Sequence, residues 1–437
     1  MAVALLDTVR SRVAAGGGPH GMRSRLSWSL VVELLQLGSS MLVFFALTRL
    51  LPPEDFGVMG GVLAVAMPVA SLSSIGSHAI LIKRVSQGAD VSDTWQRALS
   101  MGVWGPGIGA LLVIVAKPLI LPAVNGWVYA SLVIAQLNLF WITELAVFIG
   151  NGTRRIRDSA QIRLGVVAIR LTGLLLFALV GGGSLMFWAV TNLVTFGLGA
   201  LMAIGYIWRY FGARPSLSRL SVGDVREGLP FAVNSVSESV VDVSDRPLLV
   251  RYGHGADAAI YTVAARIIQF GYLPLLVLLR ASDADMFEAG RHGTRPTMRV
   301  LRRLLAPGVG VALVVAVGFL VLAPLVPVVA GSEYNDAIGA IRMLSVLPLI
   351  RCVQYLMGNC LSASGHQWWR VGATLSAAAV NFGLNVRFLP EGQWSTAVYT
   401  TIASEIYLTV AMAAIVFLLS SMERRRPSAG AGRSAVT

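Results

Sequence analysis

The chain has 437 residues, of which 55% are hydrophobic and 13% charged, with a formal net charge of +13. That balance is too apolar for a soluble protein of this length; apolar runs of about 20 residues, the length a helix needs to cross a bilayer, follow one another almost end to end. The excess positive charge does not indicate nucleic acid, because it sits in short loops between those runs.

Residues 1–25, with Gly16, Gly17 and Gly18, read as a cytoplasmic tail without the apolar core of a signal peptide. Hydropathy then predicts spans at 26–50, 56–81, 98–116, 127–150, 164–182 and 185–207, forming an N-lobe over 26–207. A basic cytoplasmic linker, 208–228, leads to spans at 229–250, 258–279, 304–330, 337–361, 371–386 and 396–419. These form a C-lobe over 229–420, followed by a cytoplasmic tail, 421–437. The span at 229–250 is the least apolar, carrying Asn234, Glu238, Asp242 and Asp245, but the topology requires it.

Orientation follows from the basic loops. With the N-terminus inside, 25 of the 35 Lys and Arg residues fall on the cytoplasmic side, including Arg154, Arg155, Arg157 and Arg163 after the fourth span. Only Lys117, Arg251 and Arg387 fall on the other side. One missed span would invert every later loop, so the asymmetry supports about 12 helices with both termini cytoplasmic. The basic side also suits an anionic cytoplasmic leaflet.

The loops exclude several functions. None is long enough to fold as a domain, and no phosphate-binding loop of the Walker type is present. The outer loops lack the acidic or His clusters of a lipid-linked polymerase or ligase. His20, His78, His254, His292 and His366 are scattered and make no metal spacing. Cys352 and Cys360 read as small apolar packing residues.

Function therefore lies in charges inside the spans, each costing about 2.5–3.5 kcal/mol at mid-bilayer on insertion scales. Asn234, Glu238 and Asp242 share one helix face at i, i+4 and i+8. That face either lines a hydrated cavity, with Glu33, Glu238, Asp242 and Asp245 available for proton or sodium exchange, or is neutralised internally, for example by pairing Asp242 with Arg246. Arg49 and the pair Asp245–Arg246 lie near predicted helix ends and could snorkel. Arg266 and the end residue Arg280 are fourteen positions apart, close to four turns, so they stack along one side of the eighth predicted span. Such guanidiniums suit a phosphate-bearing ligand; the competing reading is salt bridging to acids. An internal echo joins the two sets: Arg49 to Asp55 has the spacing of Arg251 to Asp257, and the same offset aligns Gln36 with Glu238 and His78 with Arg280.

The segment LTRLLPPEDFGVMGGVLAVAMPVASLSSIGSHAILIKR, residues 47–84, resembles the opening of Wzx-like polysaccharide-transporter flippases of the multidrug/oligosaccharidyl-lipid/polysaccharide (MOP) exporter superfamily. Arg49, Leu50, Leu51, Pro53, Asp55, Phe56 and Gly57 match the turn after the first helix, and Gly76 and Ala79 the close of the second. Asp245, Arg246, Tyr261, Ala264, Arg266 and Pro274 match a second stretch, and the run GSEYNDAIGAIRMLSVLPLIRCVQYLMGNCLSASG resembles the tenth helix.

The resemblance implies an all-α polytopic membrane protein with two six-helix lobes around a central cavity. It implies a flippase, not an enzyme, which moves an undecaprenyl-pyrophosphate-linked oligosaccharide across the cytoplasmic (inner) membrane for exopolysaccharide, O-antigen or capsule synthesis. Arg49, Arg246, Arg266 and Arg280 would hold the pyrophosphate. The remaining candidates, Glu33, Asn234, Glu238, Asp242 and Asp245, would line the cavity or carry a coupling ion, Na+ or H+. No other cofactor and no metal site is expected. A polysaccharide polymerase and a chain-length regulator are the expected protein partners. The alternatives are a Na+- or H+-coupled multidrug exporter of the same architecture and a membrane-embedded polymerase or ligase.

Overall fold

A peptide group in hydrocarbon must find its hydrogen-bond partner within the protein, and an α-helix does so within one segment. The computed structural model describes residues 19–217 except 76, 87, 154 and 181, then 223, 236 and 239, and residues 242–425. Helices account for nearly all of these residues, and no strand occurs among them. Eight helices in the described residues are long and apolar enough to cross a bilayer.

In chain order the first helices are α1 (Pro19–Leu50), α2 (Pro53–Ser73), α3 (Ser77–Ser86), α4 (Val91–Val115), α5 (Gly126–Ile134), α6 (Phe140–Gly152), α7 (Ile156–Leu179) and α8 (Leu185–Phe211). Then come α9 (Asp245–Arg251), α10 (Gly255–Gly271), α11 (Leu273–Ala281), α12 (Asp283–Gly290), α13 (Thr294–Leu322), α14 (Asp336–Leu344), α15 (Leu347–Ala363), α16 (Gln367–Phe388) and α17 (Trp394–Arg425). Local chemistry fixes several ends. The Asp90 carboxylate accepts from the Asp93 amide at 2.8 Å to start α4, and Asn125 accepts from the Trp127 amide at 2.9 Å to start α5. Gly212, at φ 67°, closes α8 in the left-handed conformation. A π turn, Ala135–Leu139, joins α5 to α6 within one span.

The helices group into two units. The first comprises Met1–Leu51, Val69–Lys117 and Val124–Val233; the second comprises Pro52–Pro68, Pro118–Ala123 and Asn234–Thr437. The predicted lobes, 26–207 and 229–420, follow the chain, whereas the packing moves 52–68 and 118–123 to the second unit. Within α2 the division falls at Pro68, which removes a helical hydrogen bond. Each unit has its own apolar core. Trp95, Leu145, Ile149 and Ala203 belong to the core of the first, and Leu275, Leu301, Leu356 and Met412 to that of the second. Large side chains such as Leu111, Leu112, Val115, Val314 and Val321 stay exposed on the helix surfaces, as a bilayer requires.

The span predicted at 229–250 is described only in part, and α9 covers its last residues; Asn234 and Glu238 lie outside the described residues, as does the Glu33 side chain. The predicted straight helix through Arg266 and Arg280 is divided into α10 and α11 at Tyr272, because Pro274 in the first turn of α11 has no amide hydrogen to donate. Those two arginines therefore do not form a column on one unbroken helix.

In the second unit, α2 meets α10 at very short range. A Cβ on Gly57 would overlap the Gly255 carbonyl oxygen and come within 3.0 Å of the Ala259 nitrogen. One turn on, a Cβ on Gly60 would lie 3.0 Å from Thr262 Oγ1, and one on Gly61 2.8 Å from Val250 Cγ2. Beside this crossing, Phe56 and Tyr334 meet edge to face at 6.2 Å, both fully buried. The pairs 57/259 and 60/262 have the same offset as Arg49/Arg251 and Asp55/Asp257. Positions with the echoed spacing thus touch one another. Gly57→Ala should cost about 1–3 kcal/mol by overpacking, read as a lower melting temperature of the purified protein. Gly38→Ala, with nothing within 4 Å of the new methyl, should not lower it. Equal behaviour of the two variants would contradict the close crossing.

Candidate functional site

The polar side chains of the second unit converge on two adjoining clusters. The first is centred on Asp245, at the start of α9, which is 1% exposed. Tyr261 on α10 donates its hydroxyl to Asp245 Oδ2 at 2.6 Å, and Thr401 on α17 donates to the same oxygen at 2.8 Å. Asn385 on α16 donates to Oδ1. A further layer orients these partners. Thr400 donates to Asn385 Oδ1 at 2.6 Å, Ser244 to Asn381 Oδ1 at 2.6 Å, and Asn381 to Ser404 Oγ at 2.9 Å. The sequence expectation that Asp245 snorkels is therefore corrected. Its carboxylate stays inside because three other helices supply the donors that water would otherwise provide.

The second cluster is ionic. Arg351 on α15 donates from Nε and Nη2 to Glu405 Oε1, at 2.9 and 2.6 Å. Gln354 Nε2 donates to Glu405 Oε2 at 2.8 Å. Arg351 Nη2 also reaches Asp242 Oδ1 at 2.8 Å. Glu405 follows Ser404 on α17 and Asp242 precedes Asp245 by one turn, so the two clusters share elements. The alternative pairing of Asp242 with Arg246 is replaced by this one. Arg351 reaches Asp242 from another helix, and no Asp242–Arg246 ion pair occurs among the described residues.

The candidate phosphate ligands are distributed as follows. Arg246 is next to Asp245 and close enough to Tyr261 to interact with it electrostatically; its Nε is buried with no hydrogen-bond partner. Arg266 donates from Nη1 to Gln269 Oε1 at 2.9 Å and lies 4.8 Å from the centre of the Phe270 ring. Arg280, in the last turn of α11, is exposed. Arg49 is exposed in the last turn of α1 and belongs to the first unit. Of the four, Arg246, Arg266 and Arg280 share the second unit.

Sequence reasoning missed a third cluster, in the first unit. Arg163, assigned to a cytoplasmic loop, lies inside α7, donates to Gln36 Oε1 on α1 and approaches Glu144 Oε2 on α6 at 4.0 Å. The signal available was the pair Gln36 and Glu144, polar residues within apolar spans that need a donor. Close by in sequence, Trp141 donates its indole to Ser77 Oγ at 3.2 Å and packs edge-on to His78, whose other ring neighbour is Phe148. Asn381, Asn385, Thr400 and Thr401 were also missed; each is an uncharged polar residue that becomes informative only beside Asp245. No group of three or more His, Cys, Asp or Glu side chains able to hold a metal ion occurs among the described residues.

Among solved structures, the chain is similar to an inward-facing multidrug-resistance MATE-family transporter of the MOP superfamily, with TM-score 0.71 at 14% identity, covering 92% of this chain and 99% of the other. It is similar to a MOP-superfamily transporter from Pyrococcus furiosus, with TM-score 0.59 at 15% identity, covering 92% and 97%. An outward-facing MATE-family transporter gives TM-score 0.54 at 17% identity, covering 93% and 97%. At such identities the likeness establishes the fold: all-α, multi-pass and MOP-type. Residues 24–279 match the family described as polysaccharide biosynthesis protein, and the chain belongs to that family. No curated protein matches it. The chain is thus a member of the polysaccharide biosynthesis family that adopts the fold of the MOP-superfamily transporters.

Removing Glu405 leaves Arg351 with the half-exposed Asp242 as its remaining acid and takes away the acceptor of Arg351 Nε and of Gln354. Glu405→Ala should destabilise the protein by about 1–3 kcal/mol through these unmade hydrogen bonds, and Glu405→Gln by less because the amide oxygen can still accept from Arg351. Thermal melting of the detergent-purified variants checks this; an unchanged midpoint for Glu405→Ala would contradict the pairing.

Proposed function

We propose that the protein moves a polyprenyl-diphosphate-linked oligosaccharide from the inner to the outer leaflet of the cytoplasmic membrane, by alternating access, during synthesis of a surface polysaccharide. The observation that carries this reading is a MOP-type transporter fold in a chain of the polysaccharide biosynthesis family. The diphosphate is the part of such a substrate least able to enter hydrocarbon, so arginines within the spans, Arg246 and Arg266 first, are the groups that lower its barrier. Arg49 and Arg280, exposed at helix ends, meet the headgroup as it enters or leaves. The sugars need a hydrated path, whereas the polyprenyl tail stays in lipid throughout.

The buried acid Asp245 favours cation coupling. A carboxyl group inside a bundle is accommodated by hydrogen bonds or a small cation when ionised, or by taking up a proton and becoming neutral, and the hydroxyls of Tyr261 and Thr401 and the amide of Asn385 stand around Asp245. A proton or Na+ taken up there from one side and released to the other would drive the cycle. The same feature keeps a cation-coupled drug exporter as a second reading, and the neighbours in the MATE family share that architecture. The arginines within the spans oppose it, because they repel cationic drugs.

Loss of the protein should leave lipid-linked oligosaccharide on the inner leaflet of a deletion strain, measured by extraction and leaflet-selective labelling. Arg266→Ala should abolish surface polysaccharide at normal protein level, and normal export in that variant would remove Arg266 from the site. Asp245→Asn should abolish the response of transport to an imposed Na+ or pH gradient; a retained response would place coupling elsewhere.

A further inference from the structure

Arg351 is held unequally by its two acids. Glu405 is 3% exposed and takes both Nε and Nη2 of the guanidinium, with Gln354 fixing its second oxygen. Asp242 takes Nη2 alone, from a side chain that is 51% exposed. One carboxylate suffices to neutralise the arginine, so Asp242 is surplus to charge balance and gives the cluster a formal charge of −1. A buried surplus charge is costly, but a half-exposed one remains solvated and is easily exchanged.

We propose that Asp242 is an internal stand-in for substrate phosphate, so that Arg351 is a further diphosphate-binding residue whose ligand face Asp242 covers between transport cycles. This rests on the transport reading above. A carboxylate and a phosphate offer a guanidinium the same pair of acceptor oxygens, and the more highly charged diphosphate is the stronger partner. Glu405 and Gln354 keep the guanidinium oriented while its outer partner changes. Asp242 swings into solvent when the diphosphate arrives and returns when it leaves. The arginine is then never left with a vacant face in a low-dielectric setting, and release of the anion is eased by a tethered competitor at high effective concentration. On this reading Asp242 sets how tightly the diphosphate is held.

The test is calorimetric binding of farnesyl diphosphate to the full-length protein in detergent at fixed salt. Asp242→Asn, which keeps the shape and loses the charge, should bind about tenfold more tightly than the unmodified protein. The gain should disappear in the double variant Asp242→Asn with Arg351→Gln. Should that double variant fail to fold, Arg351→Lys serves instead, retaining charge but not the two-pronged donor, and the gain should fall below about twofold. Unchanged or weaker binding by Asp242→Asn, or a gain that persists without Arg351, overturns the proposal. The two readings fail separately. Accumulated lipid-linked oligosaccharide in a deletion strain, with no gain in Asp242→Asn, removes this site and keeps the transport reading. An Arg351-dependent gain with no accumulation keeps the anion site and removes the transport reading.

Discussion

Every ionised group inside this bundle must find in the protein what the lipid cannot offer, and the hydrogen-bonded carboxylate of Asp245 shows how strictly that holds. Its two oxygens accept from Tyr261, Thr401 and Asn385, and those donors come from α10, α17 and α16. Leaving a buried donor or acceptor unpaired costs about 1–3 kcal/mol each. The carboxylate therefore ties four helices of the second unit together, and any change in its charge state alters how they are held. Coupling between an ion and a conformational change needs a link of this kind, one whose strength depends on occupancy.

The neighbouring Arg351 cluster obeys the same constraint with the opposite sign. A guanidinium in low dielectric is supported by Glu405 from within and Asp242 from the more open side. The two clusters lie on shared helices, so the acid that would bind a coupling cation and the arginine that would meet an anionic headgroup are mechanically connected. The α2–α10 crossing adds a different restraint. Gly57 and Gly60 bring two backbones together without intervening side chains, and close glycine contacts of this kind are what hold helices together where the hydrophobic effect cannot.

Much of the fold was legible in the sequence because the bilayer imposes length and composition directly. Apolar runs located the spans, although α1, α4, α7 and α13 begin seven to ten residues before the predicted starts because polar first turns continue the helix beyond the apolar stretch. The site was legible only in part. A charge such as Asp245 announces itself in an apolar run, but Asn385 and Thr401 are ordinary residues until the fold places them around it. Hydropathy also reads charge by position along the chain. Arg163 therefore counted as a loop cation, although Gln36 and Glu144 hold it within α7, and Asp242 was offered Arg246 as nearest partner when Arg351 lies across the bundle.

The proposed role stands or falls with passage of a diphosphate-linked sugar across the membrane through this protein. Its direct measurement is the flipping of a fluorescent polyprenyl-diphosphate oligosaccharide in proteoliposomes containing the purified protein alone, followed by quenching of the outer leaflet. The account predicts protein-dependent flipping of this lipid, faster than that of an otherwise identical neutral lipid. A rate equal to that of protein-free vesicles would contradict it.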